Sequence, residues 1–289
     1  MRGSAPHGGL NRFGPRGVLH RSQSPAHQDE SLTSVPTNVH SGATVPAFPA
    51  SSLLGAYDSL RYDYSNLEGA PVNVTYDYLT DAAQIYDESF GTIRREADLS
   101  RFPEDVSKVV VRMIHAAAQT DLPADIAFTP GIVASAREAL WNGAPIFCDS
   151  SMVATGIIRS RLPKQNEVVC YLGDPRLAEM AAELGTTKTA AAVDLWLPRL
   201  EGAVVAIGNA PTALFRLLEV VRDTGVKPAG VIGIPVGFVG AAESKQALVD
   251  NPFGLEYLAL LGRRGGSAIT VAAVNAIAST DERTNTIKA

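Results

Sequence analysis

The chain has 289 residues, of which 46% are hydrophobic and 19% are charged, and its formal net charge is −5. These values predict an ordinary globular protein of one or two domains and argue against nucleic acid or an anionic membrane as a partner. The two cysteines, Cys148 and Cys170, lie far apart with no histidine nearby, which predicts no metal site and no disulfide framework and favours the cytoplasm. The longest nearly apolar run, 229–242, is too short and too rich in glycine and proline to cross a bilayer.

Residues 1–71 differ in composition from the rest of the chain. Residues 1–28 contain four arginines and no acid, and no apolar periodicity begins before Leu53. Such a segment buries too little apolar surface to offset its ordering entropy, so we predict a disordered or irregular leader. An organelle transit peptide, or a start assigned too early with the true start nearer Tyr76, stays open.

The globular part, 72–289, begins with two predicted helices. Thr80 or Asp81 can cap the first helix, which runs to about Ala97 and carries Ser89 near the edge of its apolar face. Pro103 fits the first turn of the second helix. The apolar face of the first helix comprises Ile85, Phe90 and Ile93, and that of the second comprises Val106, Val109, Val110, Met113 and Ile114.

His115, on the flank of the second helix, is the only histidine in the part of the chain that can build a core. Arg112 precedes it by three residues and therefore lies on the same side of a helix. The pair is either a structural histidine beside a surface arginine or a cationic site that titrates near neutral pH.

After Thr120, short apolar runs alternate with helical patterns. Continuous apolar strands that are each followed by a helix predict an α/β fold with three layers, namely a doubly wound, mainly parallel sheet with helices on both faces. The predicted strands are 126–128, 145–149, 167–172, 203–207, 229–234 and 257–261, and the predicted helices are 130–141, 151–159, 175–184, 189–197, 212–222, 241–249 and 267–278.

Three consecutive strand-to-helix turns, 208–212, 233–245 and 262–267, are rich in glycine. In an open α/β sheet such turns lie at the carboxyl ends of the strands, where ligands bind, and free N–H groups at helix starts favour anions. With Lys245, Arg263 and Arg264 nearby, the turns predict a polyanionic ligand, although plain tight turns use glycine too. Neither the dinucleotide fingerprint nor the P-loop pattern is present, which disfavours a nucleotide-binding enzyme and leaves polycarboxylates open.

Six motifs stand out in the globular part: Ile85-Tyr86 with Ser89-Phe90, RREADLSRFP at 94–103, RMIHA at 112–116, AIGNAPTALF at 206–215, PVGFVGAAESK at 235–245 and GRRGGSA at 262–268. Together they resemble the precorrin-8X methylmutase family of cobalamin biosynthesis, the branch of porphyrin-type tetrapyrrole metabolism that makes vitamin B12. The resemblance extends over about residues 76–278. It implies an α/β homodimer with the substrate cleft near the subunit interface.

The activity that this resemblance implies is an isomerisation without a cofactor or a metal. The family moves the C-11 methyl group of the tetrapyrrole precorrin-8X to C-12 and so produces hydrobyrinate. Lys188 stands where the family often has arginine, and it keeps the charge but loses the bidentate fork. The resemblance makes His115 the catalytic residue and assigns substrate binding to Ser89 and Arg112; the positions predicted to bind substrate beside them are Lys188, Gly208, Asn209, Lys245 and Arg263.

Two alternatives remain at this point. One is the cobalt-precorrin-8 methylmutase of the anaerobic route, although RREADLSRFP and RLPKQNEVVC look closer to the metal-free branch. The other is a non-catalytic tetrapyrrole holder, against which the presence of His115 argues because a holder needs no proton donor.

Overall fold

The computed structural model describes residues 76–279, so the predicted leader lies outside the described residues. Helices α1 and α2 precede the first strand, and every later strand-to-strand connection contains one helix except that from β3 to β4, which contains α5 and α6. The helices are α1 (Ala82–Glu96), α2 (Glu104–Ala117), α3 (Ile132–Trp141), α4 (Ser151–Gly156), α5 (Leu177–Glu183), α6 (Lys188–Asp194), α7 (Pro211–Thr224), α8 (Ala241–Val249) and α9 (Ser267–Ala278).

Six strands form one sheet in the order β1-β6-β5-β4-β2-β3. Strands β2 to β6 run parallel to one another, whereas β1 pairs antiparallel with β6 at the edge. The winding reverses between β2 and β4, because the chain leaves β2 for β3 on one side and returns to β4 on the other. The strands are β1 (Ile126–Phe128), β2 (Ile146–Cys148), β3 (Val168–Val169), β4 (Val204–Ile207), β5 (Gly230–Gly233) and β6 (Tyr257–Leu260).

The sheet separates two apolar cores, since successive side chains of a strand point to opposite faces. In β4, Val204 and Ala206 belong to the core under α2, α3, α4 and α9, whereas Val205 and Ile207 belong to the core under α7 and α8. Helix α9 packs along α2 on the first face. These three layers confirm the predicted doubly wound, mainly parallel fold.

Local boundaries differ from the prediction where tertiary contacts intervene. The predicted strand 167–172 keeps only Val168–Val169, because a 3₁₀ turn begins at Tyr171. The helix predicted to reach Arg159 ends at Gly156, and Asn275 of α9 accepts the N–H of Ile158 at 2.9 Å. Ile85 is 45% exposed and does not join the core face of α1. No helix among residues 76–279 is long and apolar enough to cross a membrane.

Candidate active site

The first cluster of predicted site residues forms where α1 lies beside the end of α2. The Oγ of Ser89 and the Nδ1 of His115 are 2.9 Å apart. Val110, Met113 and Ile114 are buried in the core of the first face, so the neighbouring flank of α2 carries Arg112 and His115 toward α1. Because Ser89 occupies Nδ1, Nε2 is the ring nitrogen that remains for a ligand.

Two aromatic rings of α1 stack with the imidazole. The ring centroids of Phe90 and His115 are 5.0 Å apart, and those of Tyr86 and His115 are 5.7 Å apart. Tyr86 and Phe90 also stack with each other at 5.8 Å. The rings of Tyr86 and Phe90, together with the Ser89 contact, hold the imidazole in one orientation, which a proton donor requires.

One N–H donor of Arg112 has no acceptor among the described residues. Its Cζ lies 5.5 Å from the centroid of the Phe90 ring, and its buried Nη1 has no hydrogen-bond partner among residues 76–279. Glu104, an acid on the same helix, pairs instead with Lys108 at 2.8 Å. A buried guanidinium N–H without an acceptor is costly, so this atom is suited to an incoming anion.

The positive charge of Arg112 acts on both His115 and Arg161. Desolvation of the partly enclosed ring and the charge of Arg112 both lower the pKa of His115 below its ordinary value of 6.5. Desolvation and the charge of Arg112 also lower the pKa of Arg161, while Tyr86 acts in the opposite direction. Arg161 lies in a short 3₁₀ turn, Arg159–Arg161, and no periodic signal in the sequence indicated that it approaches Arg112.

A cavity of about 380 Å³ opens beside Ser89 and His115. Its volume falls within the usual range of ligand pockets, roughly 300–1,000 Å³. Besides Ser89 and His115, it is lined by Glu88, Thr92, Ile93, Glu96, Ile114, Ala118 and Thr120.

The backbone N–H groups of the turn after β4 donate to a side chain of the same protein. The N–H of Gly208 donates to Oδ1 of Asp149 at 3.0 Å, and the N–H groups of Asn209 and Ala210 donate to Oδ2 at 2.7 and 2.6 Å. Asp149 is 1% exposed. The prediction that free helix-start amides at this turn bind a ligand is therefore wrong for these three groups, because a carboxylate of the chain already occupies them.

Lys188 and Asn209 are exposed near the start of α6 and of α7, respectively. The two helix starts are joined by a hydrogen bond between the Oγ1 atoms of Thr187 and Thr212, 2.8 Å apart. Both predicted side chains thus belong to one polar surface at the point where the winding of the sheet reverses.

Lys245 is fully buried, which is at odds with its predicted contact with a substrate. Its Nζ donates to the backbone O of Arg264 at 2.6 Å, and desolvation lowers its pKa to about 8. Arg264 in turn binds Asp121 at 2.8 Å and also Asp125, which ties the turn after β6 to the segment that follows α2. Lys245 therefore supports this turn from inside.

Arg263, in contrast, is exposed, and its Cζ lies 5.3 Å from the centroid of the Phe238 ring. Within residues 76–279 the structure brings Ser89, Arg112 and His115 together, and it places Lys188, Gly208 and Asn209 near one another. The part of the chain that is described contains no group of three or more His, Cys, Asp or Glu side chains able to hold a metal ion.

Comparison with known proteins gives matches that agree with one another. A family model described as precorrin-8X methylmutase matches residues 84–280. The precorrin-8X methylmutase of a Sinorhizobium species is 56% identical over 203 residues, which are 70% of this chain and 97% of that protein. The corresponding protein of Pseudomonas aeruginosa is 51% identical over 206 residues, covering 71% of this chain and 99% of its own length.

More distant matches carry related names. A cobalt-precorrin-8 methylmutase of Priestia megaterium is 36% identical over 195 residues, covering 67% of this chain and 86% of that protein. A crystal structure of the precorrin-8X methylmutase from Thermus thermophilus superposes with a TM-score of 0.62 at 39% identity, covering 68% of this chain and 94% of that one.

Proposed function

This chain belongs to the precorrin-8X methylmutase family, and we propose that it moves the C-11 methyl group of precorrin-8X to C-12 and releases hydrobyrinate. It is thus a methyl-transferring isomerase of cobalamin biosynthesis. The observation that carries the proposal is the contact between Ser89 and His115, at 2.9 Å, beside the unpartnered guanidinium N–H of Arg112.

Each residue of this cluster has a distinct role in the proposed reaction. His115 donates a proton to the macrocycle as the methyl group migrates, a form of general-acid catalysis, and the rearranged ring gives a proton back, so that the product stays an isomer of the substrate and the acid is regenerated. Ser89 holds the imidazole through Nδ1, so that Nε2 faces the substrate. Arg112 binds a carboxylate of the substrate, and the stacked rings of Tyr86 and Phe90 present an apolar edge to the flat ring system.

The shift of a methyl group between adjacent ring carbons is intramolecular. It requires no hydride, no leaving group and no second substrate, so the protein contributes by holding the macrocycle in one orientation and by moving a proton. Small side chains after His115, at Ala116 and Ala117, leave space for a large planar ligand beside the imidazole.

The pKa of His115 depends on the charge of Arg112, which a bound substrate changes. In the free protein, the charge of Arg112 adds to desolvation in disfavouring the imidazolium. When a substrate carboxylate neutralises Arg112, that repulsion is removed and the carboxylate itself favours a positive imidazole. An Arg112 that is neutralised by a substrate carboxylate therefore no longer lowers the pKa of His115, and desolvation is left as the cause that favours the neutral ring.

The test is conversion of precorrin-8X, followed by the visible spectrum, which changes when the conjugation of the macrocycle is rearranged. The parent protein is expected to convert the substrate, and His115→Ala is expected to bind it without conversion. A parent that binds precorrin-8X but leaves its spectrum unchanged would instead support the non-catalytic holder. Equal turnover by the parent and by His115→Ala would exclude His115 as the acid.

The metal-free substrate is favoured over its cobalt-containing counterpart. Relatives named precorrin-8X methylmutase are 56% and 51% identical to this chain, whereas two relatives named cobalt-precorrin-8 methylmutase are 36% and 39% identical. Offering both tetrapyrroles in competition and measuring the ratio of the two kcat/KM values distinguishes them. A preference for the cobalt form would reverse the assignment.

A homodimer with the cleft near the subunit interface, and a cytoplasmic location, complete the proposal. The resemblance of the chain to its family supports the dimer, and the cysteine usage supports the location. Sedimentation equilibrium at catalytic concentrations is expected to give twice the mass of one chain. A monomer that is fully active would contradict the shared cleft.

A further inference from the structure

The connection between β4 and α7 is a turn that the fold holds unusually firmly. Gly208 has no space for a side chain, because a Cβ at this position would lie 2.7 Å from Oγ1 of Thr270 and 2.9 Å from Cγ2 of Val153. The turn is therefore pressed against α9 and α4 on one side. Its three consecutive N–H groups donate to Asp149, the residue after β2.

Asp149 is an internal anion in a site made of backbone amides. Both carboxylate oxygens are used, and the side chain is 1% exposed. Consecutive N–H groups around a concave turn bind anions such as phosphate or carboxylate, and here the chain supplies that anion itself. The N–H bonds oppose the desolvation that raises the pKa of Asp149.

The contact between Asp149 and the turn 208–210 lies where the winding of the sheet reverses. Strands β2 and β4 are the neighbours between which the winding reverses, and in open α/β sheets the crevice at this point is where ligands bind. Asp149 joins the ends of these two strands. Asn209, the middle residue of the three donors, is exposed on the same surface as Lys188.

We propose that Asp149 is a positioning residue, which fixes the turn 208–210 by filling its amide site and so holds Asn209 against the carboxylate-rich substrate. The inference rests on the proposed function for the identity of the substrate. The amides of residues 208–210 are saturated by Asp149 and do not bind the substrate. Asn209 therefore binds it through its side chain alone.

Asp149→Ala tests the proposal because it empties the amide site and leaves a small cavity. Formate is then expected to enter the cavity and raise the melting temperature of the variant, since a ligand that binds only the folded state stabilises it. The parent protein, with the site filled, is expected to show no comparable rise. Asp149→Asn is the matched control, because it keeps the volume, loses one acceptor and leaves no cavity for formate.

Binding of hydrobyrinate reports the positioning role. We expect its Kd to rise about tenfold in Asp149→Ala and in Asp149→Asn, with formate restoring only the alanine variant. KM is expected to rise in the same proportion and kcat to stay nearly unchanged, the pattern for a contact made equally in the ground state and the transition state. In a double-mutant cycle, adding Asn209→Ala to Asp149→Ala is expected to weaken binding no further.

Three results separate the possible failures. Folded Asp149 variants that bind hydrobyrinate as tightly as the parent would refute the positioning role and leave Asp149 a purely structural group. Additive losses in the cycle with Asn209→Ala would refute the route through Asn209. A parent that itself fails to bind hydrobyrinate would refute the proposed function, whereas the response of Asp149→Ala to formate would still decide whether the turn is an anion site. If Asp149→Ala does not fold, hydrobyrinate binding by Asp149→Asn, alone and combined with Asn209→Ala, tests the positioning role in its place.

Discussion

Replacing Arg112 by alanine is expected to weaken ligand binding while leaving the fold intact. In the free protein the buried Nη1 of Arg112 has no acceptor among the described residues, and such an N–H costs about 1–3 kcal/mol. Against this stands the contact of the guanidinium with the Phe90 ring at 5.5 Å, worth ~0.5–1 kcal/mol. The two contributions oppose each other, so the melting temperature should stay the same or rise slightly.

Arg112→Ala is expected to change the affinity for hydrobyrinate more than it changes the stability, and always to weaken binding. A charge-assisted hydrogen bond from Arg112 to a substrate carboxylate contributes ~1.5–3 kcal/mol. Its loss therefore raises the Kd for hydrobyrinate by about 10- to 150-fold. Removing the nearby positive charge also raises the pKa of His115 toward its ordinary value, since Arg112 is the second cause of its depression.

The assay combines a hydrobyrinate titration with thermal melting on the same preparations. Lys108→Ala is the matched control, because Lys108 lies one turn earlier on α2 and, among residues 76–279, forms an exposed ion pair with Glu104. Such a pair contributes about 0.3–0.5 kcal/mol, so this variant should change neither quantity appreciably. A large fall in the melting temperature of Arg112→Ala, with normal binding by the folded fraction, would show that Arg112 is a structural residue.

Three further predictions concern the same site and the amino-terminal segment. His115→Ala is expected to bind hydrobyrinate within a few-fold of the parent and to lose ~10²–10⁴-fold in kcat, the usual contribution of general-acid catalysis; near-normal kcat would contradict the role. Because the acid form of His115 must be present, kcat/KM should fall as pH rises through a pKa below 6.5, and Arg112→Ala should move this limb to a higher pH, since the charge of Arg112 is one of the two causes that lower the pKa. Coincident limbs in the profiles of the parent and the variant would contradict this coupling. Deleting residues 1–71 is expected to leave folding and conversion largely intact, and an insoluble or inactive product would assign a structural role to that segment.

The local patterns of the sequence were sufficient to predict the elements and the fold class. Apolar residues repeat every three to four positions in helices and run continuously in strands buried on both faces, and both signals depend only on neighbours in the chain. The three glycine-rich turns therefore had to lie at the carboxyl ends of the strands, where the structure places them. His115 with Arg112 followed from helical spacing, and the resemblance of the motifs added Ser89.

Other features depended on residues far apart in sequence and were decided only by the tertiary structure. The sequence shows Lys245 as a cation in a glycine-rich turn, yet α8 turns its side chain inward to the backbone of Arg264, nineteen positions later. The sequence around Asp149 does not indicate that β2 ends beside the turn after β4, so its contact with that turn could not be predicted. Hydrogen bonding, desolvation and the approach of like charges act through space, so the occupancy of the amide site and the lowered pKa of His115 follow from the packed fold and not from spacing along the chain.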